Sequence, residues 1–181
     1  MSCDPVAILP TGMTEQHGPH LPLGVDFQIP LCIAELVASE IAALIAPPLN
    51  YGYKSMPRTG GGPQFPGSLG LDGGTLSAII RDLIRELARS GAKRIVVLDG
   101  HLENRWFLTE GIDLAVRALG GNTPRVVCMQ HWDFFDEETM QAVFPEGYAG
   151  IDMEHAAILE TSLMMHFHPE LVRSDRIPDE A

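Results

Sequence analysis

Two short segments of the chain each place one imidazole and one carboxylate two residues apart. The pairs are Glu15 with His17, and His101 with Glu103. Both segments, "TEQHG" and "DGHLEN", carry a glycine that disfavours a regular helix. In extended backbone, residues i and i+2 point to the same side, so each segment can direct its pair into one place. Asp26 follows the first segment and supplies a third carboxylate.

This set of two imidazoles and three carboxylates indicates a metal site. Nitrogen and oxygen ligands without thiolate suit Zn²⁺ or Mn²⁺, and Cys3, Cys32 and Cys128 are too scattered for a thiolate site. An Asp that bridges ions about 3.5–4 Å apart would complete a two-metal arrangement used in hydrolysis. The competing interpretation is a set of solvated loop residues, and His20 is an alternative ligand.

The elements that must position these residues alternate between strand and helix. Buried strands are predicted at 5–10 and 93–100, directly before the two segments or reaching into them, and at 125–130. Helices are predicted at 27–45, with Pro30 in the first turn, at 75–91, with Thr75 as N-cap, and at 105–119 and 155–167. This alternation predicts an α/β fold of three layers, in which helices cover both faces of a mostly parallel sheet. Sites in such folds lie at the carboxyl ends of the strands.

Composition narrows the classes of protein to which the chain can belong. Of the 181 residues, 45% are hydrophobic and 20% are charged, as in globular proteins, and we expect one domain over residues 1–181. The formal net charge of -12 disfavours nucleic acid as a partner. No apolar run is long enough to span a membrane, and "MSCDPVAILP" is not typical of a signal peptide. We therefore expect a cytoplasmic protein.

Three further residues have chemistry that suits such a site. His155 precedes or opens a predicted helix, whose dipole favours a neutral imidazole that can carry protons, and Glu160 follows on the same helix. Trp132 comes directly after a predicted strand, where it can wall a substrate pocket or pack in the core. The glycine-rich segment "TGGGPQFPG" lacks a phosphate-binding motif and predicts a tight-turning loop near the site.

Several motifs together resemble the creatininase (creatinine amidohydrolase) family. They are "LPTGMTEQHGPHLPLGVD", "LNYGYKS", "GGGPQFPG", "LDGHLEN", "HWDF" and "PEGYAGIDMEHAAILETSLM", in the family's order over nearly the whole chain. The chain is shorter than family members at both ends. The resemblance implies a creatininase-like α/β/α fold and an amidohydrolase that opens a cyclic amide, most simply creatinine to creatine.

The resemblance also implies roles for particular residues. Glu15 and His101 would hold one ion, His17 and Glu103 the other, and Asp26 would bridge them. His155, with Glu103 and Glu160 nearby, would transfer protons. The implied substrate contacts are Thr59, Leu102, Trp132, Ile151, Asp152, Met153, Glu154 and His155. Two Zn or Mn ions per chain, a small-molecule substrate and a homohexamer are implied in the same way.

The resemblance leaves the substrate open. In the implied reaction, a metal-bound hydroxide attacks the amide carbonyl and His155 carries a proton to the leaving nitrogen. Leu102 and Ile151 stand where creatinine hydrolases carry aromatic residues, and a Trp stacks on a flat cationic ring better than an Ile does. One alternative is another C–N hydrolase of the family, a formamidopyrimidine deformylase or a modified-peptide peptidase. Another is a metal-binding assembly subunit that has lost catalysis.

Overall fold

The computed structural model of the chain describes residues 4–178 and is built around a parallel sheet of four strands. The strands are β1 (Val6–Thr11), β2 (Ala43–Ile45), β3 (Arg94–Asp99) and β4 (Arg125–Gln130), in the order β2-β1-β3-β4. β1 and β3 pair in register from Ala7 with Ile95 to Thr11 with Asp99. The loops that follow these two strands therefore leave the sheet side by side.

Helices cover both faces of this sheet. They are α1 (Val25–Glu40), α2 (Gly73–Arg89), α3 (Arg105–Leu119), α4 (Glu137–Val143) and α5 (Ile158–Phe167). Side chains alternate along each strand, so that α2 and α3 cover Leu9 and Val97 on one face. On the other face, α1 covers Ile8 and Leu98, and α5 packs on α1. The predicted α/β fold of three layers is confirmed.

The ends of the first two predicted helices are wrong. The helix predicted to reach Ile45 ends at Glu40, because residues 43–45 pair with β1 as an edge strand. Local apolar spacing cannot reveal this pairing, since the partner strand lies far away in the sequence. The next helix begins at Gly73, after Asp72, and so ahead of the predicted N-cap at Thr75.

The last predicted helix also begins later than expected, at Ile158 in place of residue 155. Ala156 has a left-handed backbone with φ of 54°, which a right-handed helix excludes. The sequence did not predict α4. Cys3 lies outside the described residues, and Cys32 and Cys128 are half-buried. Among residues 4–178, no helix is long and apolar enough to cross a membrane.

The first turns of α1 lie directly against the ends of β1 and β3. A Cβ at Gly12 or at Gly100, which follow these strands, would overlap the carbonyl group of Asp26. Pro30 lies inside α1, beyond the first turn where it was predicted, and has no N–H to bond that carbonyl. The two glycines therefore allow α1 to carry the Asp26 side chain to the carboxyl edge of the sheet.

We expect Gly100→Ala to lower the free energy of unfolding by about 3 kcal/mol, because overpacked backbone must move apart. The same substitution at Gly74, in the first turn of α2, is the matched control. A Cβ added at Gly74 would have no other atom within 4 Å. Gly74→Ala should change stability by about 1 kcal/mol or less. Urea unfolding of the two variants measures the difference, and equal midpoints would contradict the proposed close approach.

Candidate metal centre

The carboxyl edge of the sheet gathers four of the side chains that the sequence singled out. Glu15 and His17 come from the loop after β1, Asp26 from α1, and His101 from the loop after β3. All four are buried, with at most 3% of their surface exposed. Together with Glu160 and His155 they form three groups of possible ligands; two of them share Asp26, and the third consists of Glu15, His17 and His155.

The first group consists of Glu15, Asp26 and His101. Nδ1 of His101 lies 3.0 Å from Oδ2 of Asp26 and 3.3 Å from Oε2 of Glu15. The other ring nitrogen, Nε2, lies 2.9 Å from the backbone carbonyl oxygen of Tyr53. Because an N–H at Nε2 donates to this carbonyl, the lone pair of the neutral ring is at Nδ1, facing the two carboxylates.

The second group consists of His17, Asp26 and Glu160. Nε2 of His17 lies 2.9 Å from Oδ1 of Asp26 and 3.5 Å from Oε1 of Glu160. Nδ1 of the same ring lies 3.1 Å from the backbone carbonyl oxygen of Glu15, to which it can donate. Asp26 thus presents one carboxylate oxygen to each group, which is the arrangement of a bridging ligand.

The position expected for Glu103 beside His17 is occupied by Glu160. Oε1 of Glu103 instead accepts hydrogen bonds from Oγ1 of Thr59 at 2.6 Å and from the backbone N–H of Met56 at 3.2 Å. The spacing rule places Glu103 near the site but cannot decide which carboxylate reaches which imidazole. Glu160 comes from α5, and only the packing of α5 against α1 brings it there. From the sequence, Glu160 was expected near His155 in proton transfer and not as a metal ligand.

Both groups fit a divalent cation. Among the described residues, Oε1 of Glu15, Nε2 of His17 and Oδ2 of Asp26 are buried without a hydrogen-bond partner. The short contacts between these side chains therefore lack hydrogen-bond geometry, as expected where ligands converge on a shared partner. Leaving a buried polar atom unpaired costs about 1–3 kcal/mol. Nitrogen and carboxylate ligands suit Zn²⁺ or Mn²⁺, which would remove that cost.

The electrostatic field of the site favours positive charge. Burial lowers the pKa of His17, but the charges of Glu160 and Asp26 outweigh it and raise this pKa well above its usual value. Burial likewise lowers the pKa of His101, but the close carboxylates of Asp26 and Glu15 raise it further than burial lowers it. For Asp26, burial raises the pKa, but the two imidazoles lower it below its usual value. The same field attracts a metal ion.

A buried network behind the two groups holds the loops in place. Oδ1 of Asp99 accepts hydrogen bonds from Oγ1 of Thr11 at 2.8 Å and Nδ2 of Asn104 at 2.9 Å. Oδ1 of Asn104 accepts from the backbone N–H of Tyr53 at 2.7 Å, and the Tyr53 carbonyl orients His101. Burial raises the pKa of Asp99 to about 6, against the effect of these hydrogen bonds. The ends of β1 and β3 are thereby tied to the loop that orients the imidazole.

His155 lies next to the two groups that share Asp26 and belongs to the third group, with Glu15 and His17. Its Nε2 is 2.8 Å from the backbone carbonyl oxygen of Gln16 and 3.9 Å from Oε1 of Glu15. Its ring centroid is 4.5 Å from that of His17. Because the ring is only partly buried and lines the cavity, it can exchange protons between the site and solvent.

The remaining predicted substrate contacts mostly line a small cavity of about 40 Å³ over the two groups. Those in its wall are Thr59, Leu102, Trp132, Ile151, Glu154 and His155. Asp152 lies outside this wall and pairs with Arg58 at 3.0 Å. Met153 is also outside the wall and is 65% exposed. His20, the alternative ligand, instead contacts Oγ1 of Thr161 at 3.0 Å and belongs to neither group.

A parallel α/β sheet with nitrogen and carboxylate ligands gathered at its carboxyl edge is typical of metal-dependent hydrolases. Comparison with known sequences shows which family of proteins the chain belongs to. The sequence model of the family Creatininase, described as creatinine amidohydrolase, matches residues 1–181. The chain therefore belongs to the creatininase family.

Two relatives illustrate the range of the family. The chain is 48% identical to the creatinine amidohydrolase of Pseudomonas putida over 180 residues. The aligned region covers 97% of the chain and 69% of that enzyme. It is 31% identical to the mycofactocin precursor peptide peptidase of Mycolicibacterium smegmatis over 182 residues. Here the aligned region covers 96% of the chain and 62% of that protein. The chain thus spans about two thirds of the length of each relative.

Solved structures of creatininases have the same fold. A mutant creatininase complexed with creatine matches with a TM-score of 0.94 and 47% identity, over 97% of this chain and 71% of that one. A mutant creatininase of Zn-Zn type matches with a TM-score of 0.93 and 47% identity, over 97% of this chain and 70% of that one. A structure described as creatininase Mn matches with a TM-score of 0.94 and 47% identity, over 98% and 71%.

We expect Zn²⁺ or Mn²⁺ to stabilise the protein through these two groups. A cation at about 100 times its dissociation constant should add about 2.7 kcal/mol to the free energy of unfolding. Asp26→Asn should abolish most of this gain, since both groups lose an anionic ligand. Asp113→Asn, which changes an exposed carboxylate on α3 paired with Arg117, is the control. Calorimetric titration with thermal unfolding measures both effects, and an unchanged response in Asp26→Asn would refute the assignment.

Proposed function

We propose that the chain is a creatininase-type amidohydrolase that opens a cyclic amide, most simply creatinine to creatine, with two divalent ions, Zn²⁺ or Mn²⁺. The observation that carries this proposal is the pair of ligand groups that share the two oxygens of Asp26. The 48% identity to a creatinine amidohydrolase and the likeness to structures described as Zn-Zn and Mn forms support it.

The proposed ligands follow the two groups. Glu15 and His101 would hold one ion, His17 and Glu160 the other, and Asp26 both. When bound, such ions polarise a carbonyl and can lower the pKa of a coordinated water to about 7. The backbone carbonyls that accept from the two imidazoles fix their rings, so that the ligands need little rearrangement.

His155 is the proposed proton carrier. Its position beside Glu15 and His17, in the wall of the cavity, places it between the ligand groups and solvent. The Gln16 carbonyl lies within hydrogen-bond reach of its Nε2 and can orient the ring. From there the imidazole can deliver a proton to the nitrogen that leaves when the amide opens. Glu103, held by Thr59, would orient the substrate as an acceptor in the same wall.

A peptide-directed C–N hydrolase of the same family is the second candidate. Leu102 and Ile151 form part of the cavity wall and offer no aromatic face to a flat ring. The 31% identity to a mycofactocin precursor peptide peptidase supports this candidate too. A panel of creatinine, other cyclic amides and short peptides, with products separated by liquid chromatography, decides between the two substrates.

The organisation of the whole protein belongs to the same proposal. One domain over residues 1–181, a homohexamer and a cytoplasmic location are predictions that follow from composition and family resemblance. Light scattering on the purified chain measures the assembly directly.

His155→Ala should lower kcat by about 100- to 10,000-fold, because the leaving nitrogen loses its proton source. Bound metal, measured by plasma mass spectrometry, should stay at the wild-type level. His166→Ala, an exposed imidazole on α5, is the control and should keep full activity. A parallel loss of metal and activity in His155→Ala would assign this residue to the ligand set instead.

Ile151→Trp should raise kcat/KM for creatinine by about 2- to 10-fold, because a flat ring stacks on a Trp face with a gain of about 0.5–1.5 kcal/mol. Ile151→Leu, which changes shape but adds no aromatic face, is the matched control. Steady-state kinetics with creatinine measures the ratio. Equal gains in both variants would mean that the size of the side chain matters and its aromatic character does not.

A further inference from the structure

An open groove of about 400 Å³ lies beside the cavity over the ligand groups. We call it the side groove and define it by Met56, Arg58, Arg105, Trp106, Phe107 and Asp152, all in its wall. Thr59, Leu102 and Glu103 line both the side groove and the cavity, so these three side chains lie between the two spaces. A molecule whose reactive amide lies in the cavity needs only to pass these side chains to reach the side groove.

The charges in the side groove leave one cation without a partner. Arg58 pairs with Asp152 at 3.0 Å, and Glu103 is held by Thr59 and by the Met56 N–H. Arg105, in contrast, has no carboxylate oxygen within 4.0 Å in the part of the chain that the structure describes. The charges of the side groove sum to zero, and Arg105 is the charged residue there that no described ion pair or side-chain hydrogen bond engages, so its guanidinium is the point where an anion can bind.

The same wall presents a large aromatic surface. Trp106 is 73% exposed, more than any other large hydrophobic residue among those described. The guanidinium carbon of Arg105 lies 5.8 Å from the centroid of its ring, and Phe107 stacks on Tyr53 with centroids 4.1 Å apart. Exposed apolar patches mark binding sites, and Trp and Arg are each enriched among the residues that dominate binding at protein interfaces.

We propose that the side groove binds the part of the substrate remote from the scissile amide, and that this part carries a carboxylate on an apolar or aromatic body. The carboxylate binds the guanidinium of Arg105, and the apolar body packs on Trp106. This inference rests on the proposed amidohydrolase function and narrows its substrate class from the simplest case, creatinine, to a larger amide that also carries a carboxylate. Binding energy from the remote part would hold the amide over the ligand groups.

The test compares two probes that differ only in charge, N-acetylphenylalanine and N-acetylphenylalaninamide. Isothermal calorimetry on the full, zinc-loaded chain should find that the carboxylate binds about 10-fold more tightly than the amide, as a charge-assisted hydrogen bond provides. Arg105→Gln should remove this preference, and Trp106→Ala should weaken both probes. Arg117→Gln, an exposed arginine further along α3, is the matched control and should behave as wild type.

Three results would overturn the inference. Equal affinity for the two probes in the wild type would mean that the groove does not select anions. A preference that persists in Arg105→Gln would place the carboxylate on the zinc ions. Self-association that Trp106→Ala abolishes, measured by sedimentation, would make the groove a contact between copies of the chain. Because binding needs no turnover, a failure to hydrolyse creatinine or any other amide would count against the proposed function alone.

Discussion

The close approach of α1 to the ends of β1 and β3 is the constraint on which the site depends. Gly12 and Gly100 leave room for the backbone of Asp26, and any side chain there would push the helix away. Pro30 lies one turn after Asp26 in α1 and has no N–H, so the Asp26 carbonyl receives no helical hydrogen bond from that position. With the backbone fixed in this way, the two oxygens of Asp26 can face His17 and His101 at the same time.

The site concentrates more charge than a protein interior normally accepts. Buried carboxylates are stable only when they are paired, hydrogen-bonded or bound to metal, and several ligand atoms here lack a hydrogen-bond partner in the described part of the chain. The supporting network, in contrast, is well satisfied, because Asp99 and Asn104 bond to groups from β1 and from the Tyr53 loop. The fold thus fixes the loops with completed hydrogen bonds and leaves the ligand atoms free for a cation.

Substrate choice depends on residues further from the sheet. The ligand groups are set by the ends of β1 and β3 and by α1 and α5, which also build the core. Leu102, Ile151 and the side groove lie on loops and at the start of α3, where side chains can change at little cost to packing. This separation is consistent with a family that contains both a creatinine amidohydrolase and a peptide peptidase.

The sequence alone determined the α/β class, the central strand at 94–99 and the segments that carry the imidazoles and most of the carboxylates, because strand patterns and i, i+2 spacing are local properties. It did not determine that β2 replaces the end of a predicted helix, or that Glu160 takes the place expected for Glu103. Both depend on contacts between segments distant in the chain. Only the tertiary structure, by packing α5 on α1 and β2 on β1, decided which of several suitable carboxylates reaches His17 and Asp26.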